Sequence, residues 1–253
     1  MNNLDIERMT KFSPSGETIV FLGICLVLII LFIIVGIKAK LADPLKRPKG
    51  LLLIAEMCVE KLDNFVKETM GKGFDNFGGF LLGLIPTLFL SFIIGIIGLP
   101  TPMTNLAVPF TFALVTFVLI HATSVRYTKL KYFKRFVDPI PVFLPMNLLS
   151  MWAPLLSMTL RMFGNAVVGW VLLGLLNTGL ENLSATLFSF VPAGPNSIFL
   201  VPILTPLLHD YFDLFSGFVQ TMVFVFLTAL FIAQERPEDI EEEAKMASRK
   251  EVA

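Results

Sequence analysis

Charged side chains are scarce in this chain and absent from long stretches of it. Of 253 residues, 16% are charged and 55% are hydrophobic, whereas about 25% of the residues in a typical soluble domain are charged. No charge occurs over 18–37 or over 76–120. This composition excludes an ordinary soluble domain, and the long uncharged runs predict an integral membrane protein.

Residues that usually build catalytic or metal sites are also rare. The chain has two cysteines, Cys25 and Cys58, and two histidines, so neither a disulfide framework nor a metal cluster is predicted. It contains no Gly-rich phosphate loop and no evident nucleophile with a base. The formal net charge is zero and gives no general attraction to nucleic acid. We therefore expect no catalytic site of its own, no cofactor, no metal and no nucleic-acid partner.

The uncharged runs predict three membrane spans. A hydrocarbon core of about 30 Å needs ~20 apolar residues in a helix, which the run at 18–37 supplies once. The run at 76–120 is long enough for two spans, at 77–99 and 105–125, with Gly and Pro residues at the turn between them. The first run is too long for a signal peptide and ends in lysines, so no cleavable leader is predicted.

The distribution of lysine and arginine predicts the orientation in the membrane. These residues cluster after the first and third spans, at 38–49 and 126–135, and none lies at 100–104. Because positively charged loops stay in the cytoplasm, we expect residues 1–17 outside the cell. The acidic tail at 235–253 is then cytoplasmic.

Residues 51–70 predict an amphipathic helix. Ile54, Cys58, Leu62, Phe65 and Val66 share one face at helical spacing, and most of the charged residues occupy the other face. Such a helix is expected to lie in the membrane interface. The alternative is a soluble helix that packs on a partner.

Two long apolar helices, at about 146–177 and 197–233, complete the predicted fold. Each is longer than a bilayer is thick at 1.5 Å per residue, so we expect them to tilt strongly or to lie nearly horizontal. The link between them is rich in Gly and Pro. The predicted architecture is therefore a single all-α membrane domain over 1–253, whose last part, 140–233, is a tilted helical hairpin.

A few polar groups interrupt this hairpin. Arg161 is the only charged residue between Asp138 and Glu181, and burying it at membrane depth costs roughly 2.5–3.5 kcal/mol on insertion scales. Such a residue predicts a functional site. Asn165, four residues later, shares its helix face. On the second helix a polar stripe is predicted at spacings of 3, 4 and 3, formed by Asp210, Asp213, Gly217 and Gln220. The alternative role for Arg161 is a buried structural ion pair with an aspartate.

Three segments of the hairpin resemble a known family. They are PMNLLSM at 145–151, LRMFGN at 160–165 and FVQTMVFVFLTALFIA at 218–233, and they are similar to subunit a of the F-type ATP synthase membrane sector. The resemblance covers 18–235 and includes the order of the elements. It implies an ion-translocating stator, with protons the commoner ion, in a multi-pass bacterial plasma-membrane protein. Implied partners are the rotor c-ring, the peripheral-stalk subunit b, other ATP synthase subunits and the lipid bilayer.

The resemblance also implies roles for individual residues. Arg161 corresponds to the arginine that meets the rotor carboxylates between two half-channels. Asn165 corresponds to its polar neighbour, and Gln220 to a glutamine on the facing helix. The chain departs from the family at Trp170 and after Asn147, where half-channel carboxylates are common.

Asp213 is the predicted replacement for these missing carboxylates. It lies seven residues before Gln220, where the family often has a titratable group. We hypothesise that Asp213, with Asp210 and His209 nearer the channel mouth, relays the ion on one side. The alternatives are a self-contained secondary transporter, in which Arg161 binds an anionic substrate, and a non-transporting scaffold. The first usually shows internal repeats, which are not apparent here, and the second needs no polar stripe.

Overall fold

The computed structural model describes residues 15–42, 49–71, 73–74, 77–129, 144–187 and 201–235. Within these ranges it contains helices and no strands, which confirms the predicted all-α class. The α-helices are α1 (Gly16–Leu41), α2 (Leu51–Met70), α3 (Phe77–Ile93), α4 (Ala107–Thr128), α5 (Leu144–Leu187), α6 (Val201–Asp210) and α7 (Gly217–Gln234). Two 3₁₀ turns, Ile94–Ile97 and Pro102–Thr104, connect α3 to α4, and a π-helical turn, Tyr211–Ser216, joins α6 to α7.

Five helical stretches are long and apolar enough to cross a membrane. They are Gly16–Leu41, Phe77–Ile97, Ala107–Thr128, Pro145–Thr186 and Leu204–Gln234. Helix α1 exposes leucine, isoleucine and valine side chains along most of its length, as expected for a helix that contacts acyl chains. These features confirm an integral membrane fold.

Helix α5 is longer than the sequence predicted. It continues without a break for 44 residues, about 66 Å at 1.5 Å per residue, so it must tilt to remain in a bilayer. Gly179, which the sequence placed in the connecting link, lies inside the helix. A single glycine costs a helix only about 1 kcal/mol, and no proline occurs between Pro154 and Pro192 to end it. The remainder of the link, 188–200, lies outside the described residues, as do 1–14 and 236–253.

The hydrophobic core is formed by α2, α3, α4, α7 and the first half of α5. Leu81 and Leu88 of α3, Phe224 and Ile232 of α7 and Met158 of α5 belong to one buried cluster. Helix α7 packs on α2, α3 and α4, while α5 packs mainly on α4 and α6. Helix α4 therefore contacts both arms of the hairpin, and within the described part of the chain one side of α5 remains exposed.

Helix α2 occupies the range 51–70 given by its apolar periodicity. Its C-terminal half packs on α3 and α7, with Val66 only 1% exposed, whereas Ile54 and Cys58 are exposed. Thus only part of the predicted apolar face is covered by the described part of the chain. The location of the exposed part in the membrane interface remains a prediction.

Candidate functional site

A cavity of about 710 Å³ lies at the end of the molecule where α1 begins. Its walls come from the start of α1, the connection between α3 and α4, the middle of α5 and the π-helical turn. The polar and charged side chains that line it are Glu17, Thr101, Thr104, Asn165, Asp213 and Ser216.

Asp213 reaches this cavity from the π-helical turn. Such turns are rare and occur often at functional sites, because the extra residue changes the direction of the side chains that follow. The carboxylate lies directly against Gly95. A Cβ atom at Gly95 would lie 2.9 Å from Asp213 Oδ2 and 2.8 Å from Thr101 Oγ1. Glycine at position 95 therefore provides the space that the carboxylate occupies.

Asn165 connects α5 to the same turn. Its Nδ2 donates a hydrogen bond to Ser216 Oγ at 2.5 Å, and both residues line the cavity. The side chain is half-buried. The structure thus brings together two of the predicted residues, Asn165 and Asp213, in the wall of one cavity.

Arg161 lies one helical turn before Asn165, on the surface of the chain. It is exposed, and it forms no ion pair or hydrogen bond within the ranges that the structure describes. The buried structural ion pair with an aspartate is therefore not found in these ranges. Leu156, Leu160 and Val168 on the same helix are also exposed. Arg161 is a cation in an uncovered apolar surface.

Gln220 is buried in α7, at 7% exposure. Its Nε2 has no hydrogen-bond partner among the described residues. One turn earlier, Gly217 permits close contact between α7 and α3, since a Cβ there would lie 2.6 Å from Phe92 Cβ. An unsatisfied buried amide costs about 1–3 kcal/mol, so Gln220 is a polar group whose partner is missing in the described part of the chain.

The structure separates Asp210 from the other predicted residues. Asp210 ends α6 and lines a different, apolar crevice of about 420 Å³ formed mainly by aromatic residues. The prediction of one polar stripe over 210–220 is wrong, because a π-helical turn replaces α-helical geometry between the two aspartates. His209 lies in α6, but its side chain is outside the described residues. No group of three or more His, Cys, Asp or Glu that could hold a metal occurs in the described ranges.

Sequence reasoning missed the remainder of the cavity wall. Glu17, Thr101, Thr104 and Ser216 belong to segments that are far apart in the chain. Only Glu17 carried a signal, as the charge at the edge of the first apolar run. Nothing in the linear pattern indicated which distant segment it would face.

Comparison with known proteins identifies the family. Residues 18–233 match the family described as ATP synthase A chain. The chain is 31% identical to ATP synthase subunit a of Mycoplasma genitalium, over 94% of this chain and 86% of that protein. It is 30% identical to ATP synthase subunit a of Mycoplasma pneumoniae, over 97% and 88%. With ATP synthase subunit a of a Sulfurihydrogenibium species the identity is 32%, over 82% and 91%.

The matched range includes all five apolar helical stretches except a few terminal residues. It also includes Arg161, Asn165, Asp213 and Gln220. The chain therefore belongs to the ATP synthase A chain family, the multi-pass membrane subunits a of F-type ATP synthases.

Proposed function

We propose that this chain is the ion-translocating stator subunit of a rotary ATP synthase. It works with other ATP synthase subunits, of which we infer the rotor c-ring and the peripheral-stalk subunit b to be direct partners. The observation that carries the proposal is the cavity. A cavity lined by two carboxylates, Glu17 and Asp213, reaches Asn165, and one helical turn away Arg161 presents a guanidinium on an apolar surface.

Arg161 is proposed to bind the rotor carboxylates in turn. A guanidinium stays charged even when desolvated, so it attracts a carboxylate only after that group has lost its ion. At membrane depth an exposed cation needs compensation, and the described part of this chain supplies none. The surrounding leucine and valine side chains suit contact with an apolar rotor. The same fixed charge prevents ions from passing directly between two half-channels.

Asp213 is proposed to relay the ion between the cavity and the rotor. A carboxylate that lines a cavity can accept and release a proton, and the hydrogen-bonded pair Asn165 and Ser216 continues the polar groups toward Arg161. We therefore infer that the translocated ion is a proton and that the cavity is one of two half-channels. The buried Gln220 amide is proposed to find its partner, the arginine or a rotor carboxylate, in the assembled complex.

The distribution of lysine and arginine supports the orientation that we propose for the chain. Basic segments follow α1 and α4, so we propose an outer N-terminus and a cytoplasmic C-terminus. The cavity at the start of α1 then opens to the outside of a bacterial plasma membrane. A self-contained transporter is less well supported, because Arg161 does not line this cavity.

The Arg161→Ala variant tests the proposal directly. We expect the complex to assemble but to lose ATP-driven proton pumping and ATP synthesis, and Arg161→Lys to restore little of either, since an ammonium is a compact charge whose pKa falls on burial. Pumping is measured with a pH-sensitive dye in inverted membrane vesicles. Arg126→Ala, at the exposed end of α4, is the matched control. Pumping by Arg161→Ala at the parent rate would contradict the assignment.

The Asp213→Asn variant tests the half-channel. Because removal of a proton-transfer group typically costs about 100-fold or more, we expect ATP-driven pumping to fall at least ~10-fold. Asp210→Asn, three residues earlier but in a separate crevice, should cause a smaller loss. No loss in Asp213→Asn would remove Asp213 from the ion path, and equal losses in the two variants would place Asp210 in the path as well.

A further inference from the structure

We propose that Glu17 is a second carboxylate of the ion path, which concentrates protons at the mouth of the cavity and supplies them to Asp213. This inference rests on the proposed function of the cavity as a half-channel. It assigns a role to the first turn of α1, a part of the chain that the proposed relay does not use. The relevant ligand is a hydrated proton that approaches from the side where α1 begins.

Glu17 lies in the wall of the cavity. Glu17 and Asp213 are the only ionisable side chains from the described residues that line the cavity. Glu17 is half-buried at the start of α1. It therefore lies on the cavity wall while it remains accessible to solvent.

The start of α1 is held in place by hydrogen bonds to a distant segment. Asn105 Nδ2 donates to Ser15 Oγ at 2.9 Å, and Ser15 Oγ lies 3.0 Å from Thr18 Oγ1. Asn105 Oδ1 also accepts a hydrogen bond from the backbone N–H of Ala107 at 3.1 Å, at the start of α4. These bonds fasten the residues on both sides of Glu17 to the connection that forms the opposite wall. Glu17 is thus fixed over the cavity rather than carried on a loose helix end.

The negative charge of Glu17 affects the ions near the cavity. The N-terminus of a helix stabilises a negative charge in its first turn, so Glu17 is favoured as a carboxylate. Charge of one sign at a cleft with low-dielectric walls raises the local concentration of counter-ions and their association rate. Salt screens this attraction, with a Debye length of about 10 Å at 0.1 M. If Glu17 only stabilised the helix, its removal would lower the yield of assembled complex, and the synthesis rate per complex would depend on luminal pH as in the parent.

The test uses the complete ATP synthase in inverted vesicles, in which the cavity faces the lumen. ATP synthesis is driven by an acid–base transition, and its rate is measured against luminal pH at low and high ionic strength. We expect Glu17→Gln to lower the rate about three- to tenfold at limiting proton concentration and low salt. The ratio of variant to parent should approach one at high salt and at acid luminal pH. Glu17→Asp should retain most of the parent rate.

Glu56→Gln provides the matched control, because Glu56 is exposed on α2 and does not line the cavity. Parent-like rates for Glu17→Gln under all conditions would overturn the inference, and so would a loss that is the same at every salt concentration and pH. Asp213→Asn is measured in the same vesicles. If it remains defective while Glu17→Gln is normal, the half-channel stands without Glu17. If neither variant has an effect, the proposed function of the cavity fails as well.

Discussion

At the scale of single residues, the close contact between Asp213 and Gly95 restricts which side chains fit in the cavity wall. The carboxylate occupies space that a methyl group at position 95 would need. Because Asp213 Oδ2 is the end of a flexible side chain, the fold can tolerate a change there by moving the carboxylate. A larger residue at position 95 should therefore reduce ion transport more than it reduces the stability of the subunit.

The Gly95→Ala variant tests this interpretation. We expect normal assembly but a loss of proton pumping of about tenfold or more, since misplacing a reacting group by ~1 Å can cost about 100-fold in rate. Gly169→Ala is the matched control, because Gly169 lines the same cavity but has open space for a Cβ atom. Pumping rates and complex yield are compared in membrane vesicles. A pumping loss in Gly169→Ala as large as in Gly95→Ala would show that the space beside Asp213 is not the determinant.

At the scale of secondary-structure elements, α2 and α3 approach each other closely at Gly78. Asp63 Oδ1 of α2 occupies the place of a Cβ at Gly78, in the first turn of α3. A carboxylate at a helix N-terminus also interacts favourably with the helix dipole. The contact lies where α2 packs on α3.

Replacement of Gly78 should therefore weaken the packing of α2. We expect Gly78→Ala to destabilise the subunit by about 0.3–1 kcal/mol, because the flexible Asp63 side chain must move away and its carboxylate loses the interaction with the N-terminus of α3. Gly79→Ala, at a neighbouring position with open space, should leave stability unchanged or slightly higher. Thermal inactivation of the detergent-solubilised complex is the measurement. Equal inactivation temperatures for the two variants would show that the Asp63–Gly78 contact does not restrict α2.

The π-helical turn, Tyr211–Ser216, is the second element that affects the position of the site residues. It separates Asp210 from Asp213, which an uninterrupted α-helix would place on one face. The sequence pattern of this segment agrees with regular α-helical spacing and contains no signal for the extra residue in the turn. For this reason the sequence predicts one polar face for Asp210 and Asp213, although the two residues line different cavities.

At the scale of the whole molecule, the helical class was predictable because membranes impose it. A backbone in hydrocarbon must satisfy its hydrogen bonds within the segment, so long uncharged runs predict helices directly. Arg161, Asn165 and Gln220 were predictable as candidates because polar groups stand out in apolar helices. Helix α5 is longer than the sequence predicts, because Gly179 weakens the helix without ending it.

The sequence by itself determined the all-α membrane class, the approximate positions of the spans and the identity of the costly arginine. These properties depend on local hydrophobicity and on the price of burying one charge. Only the tertiary structure decided that Arg161 lies on an uncovered surface, that Asp213 and Glu17 share a cavity, and that Asp210 does not. Those facts depend on contacts between segments far apart in the chain. In a sequence that is apolar nearly throughout, local pattern does not specify which helix faces meet.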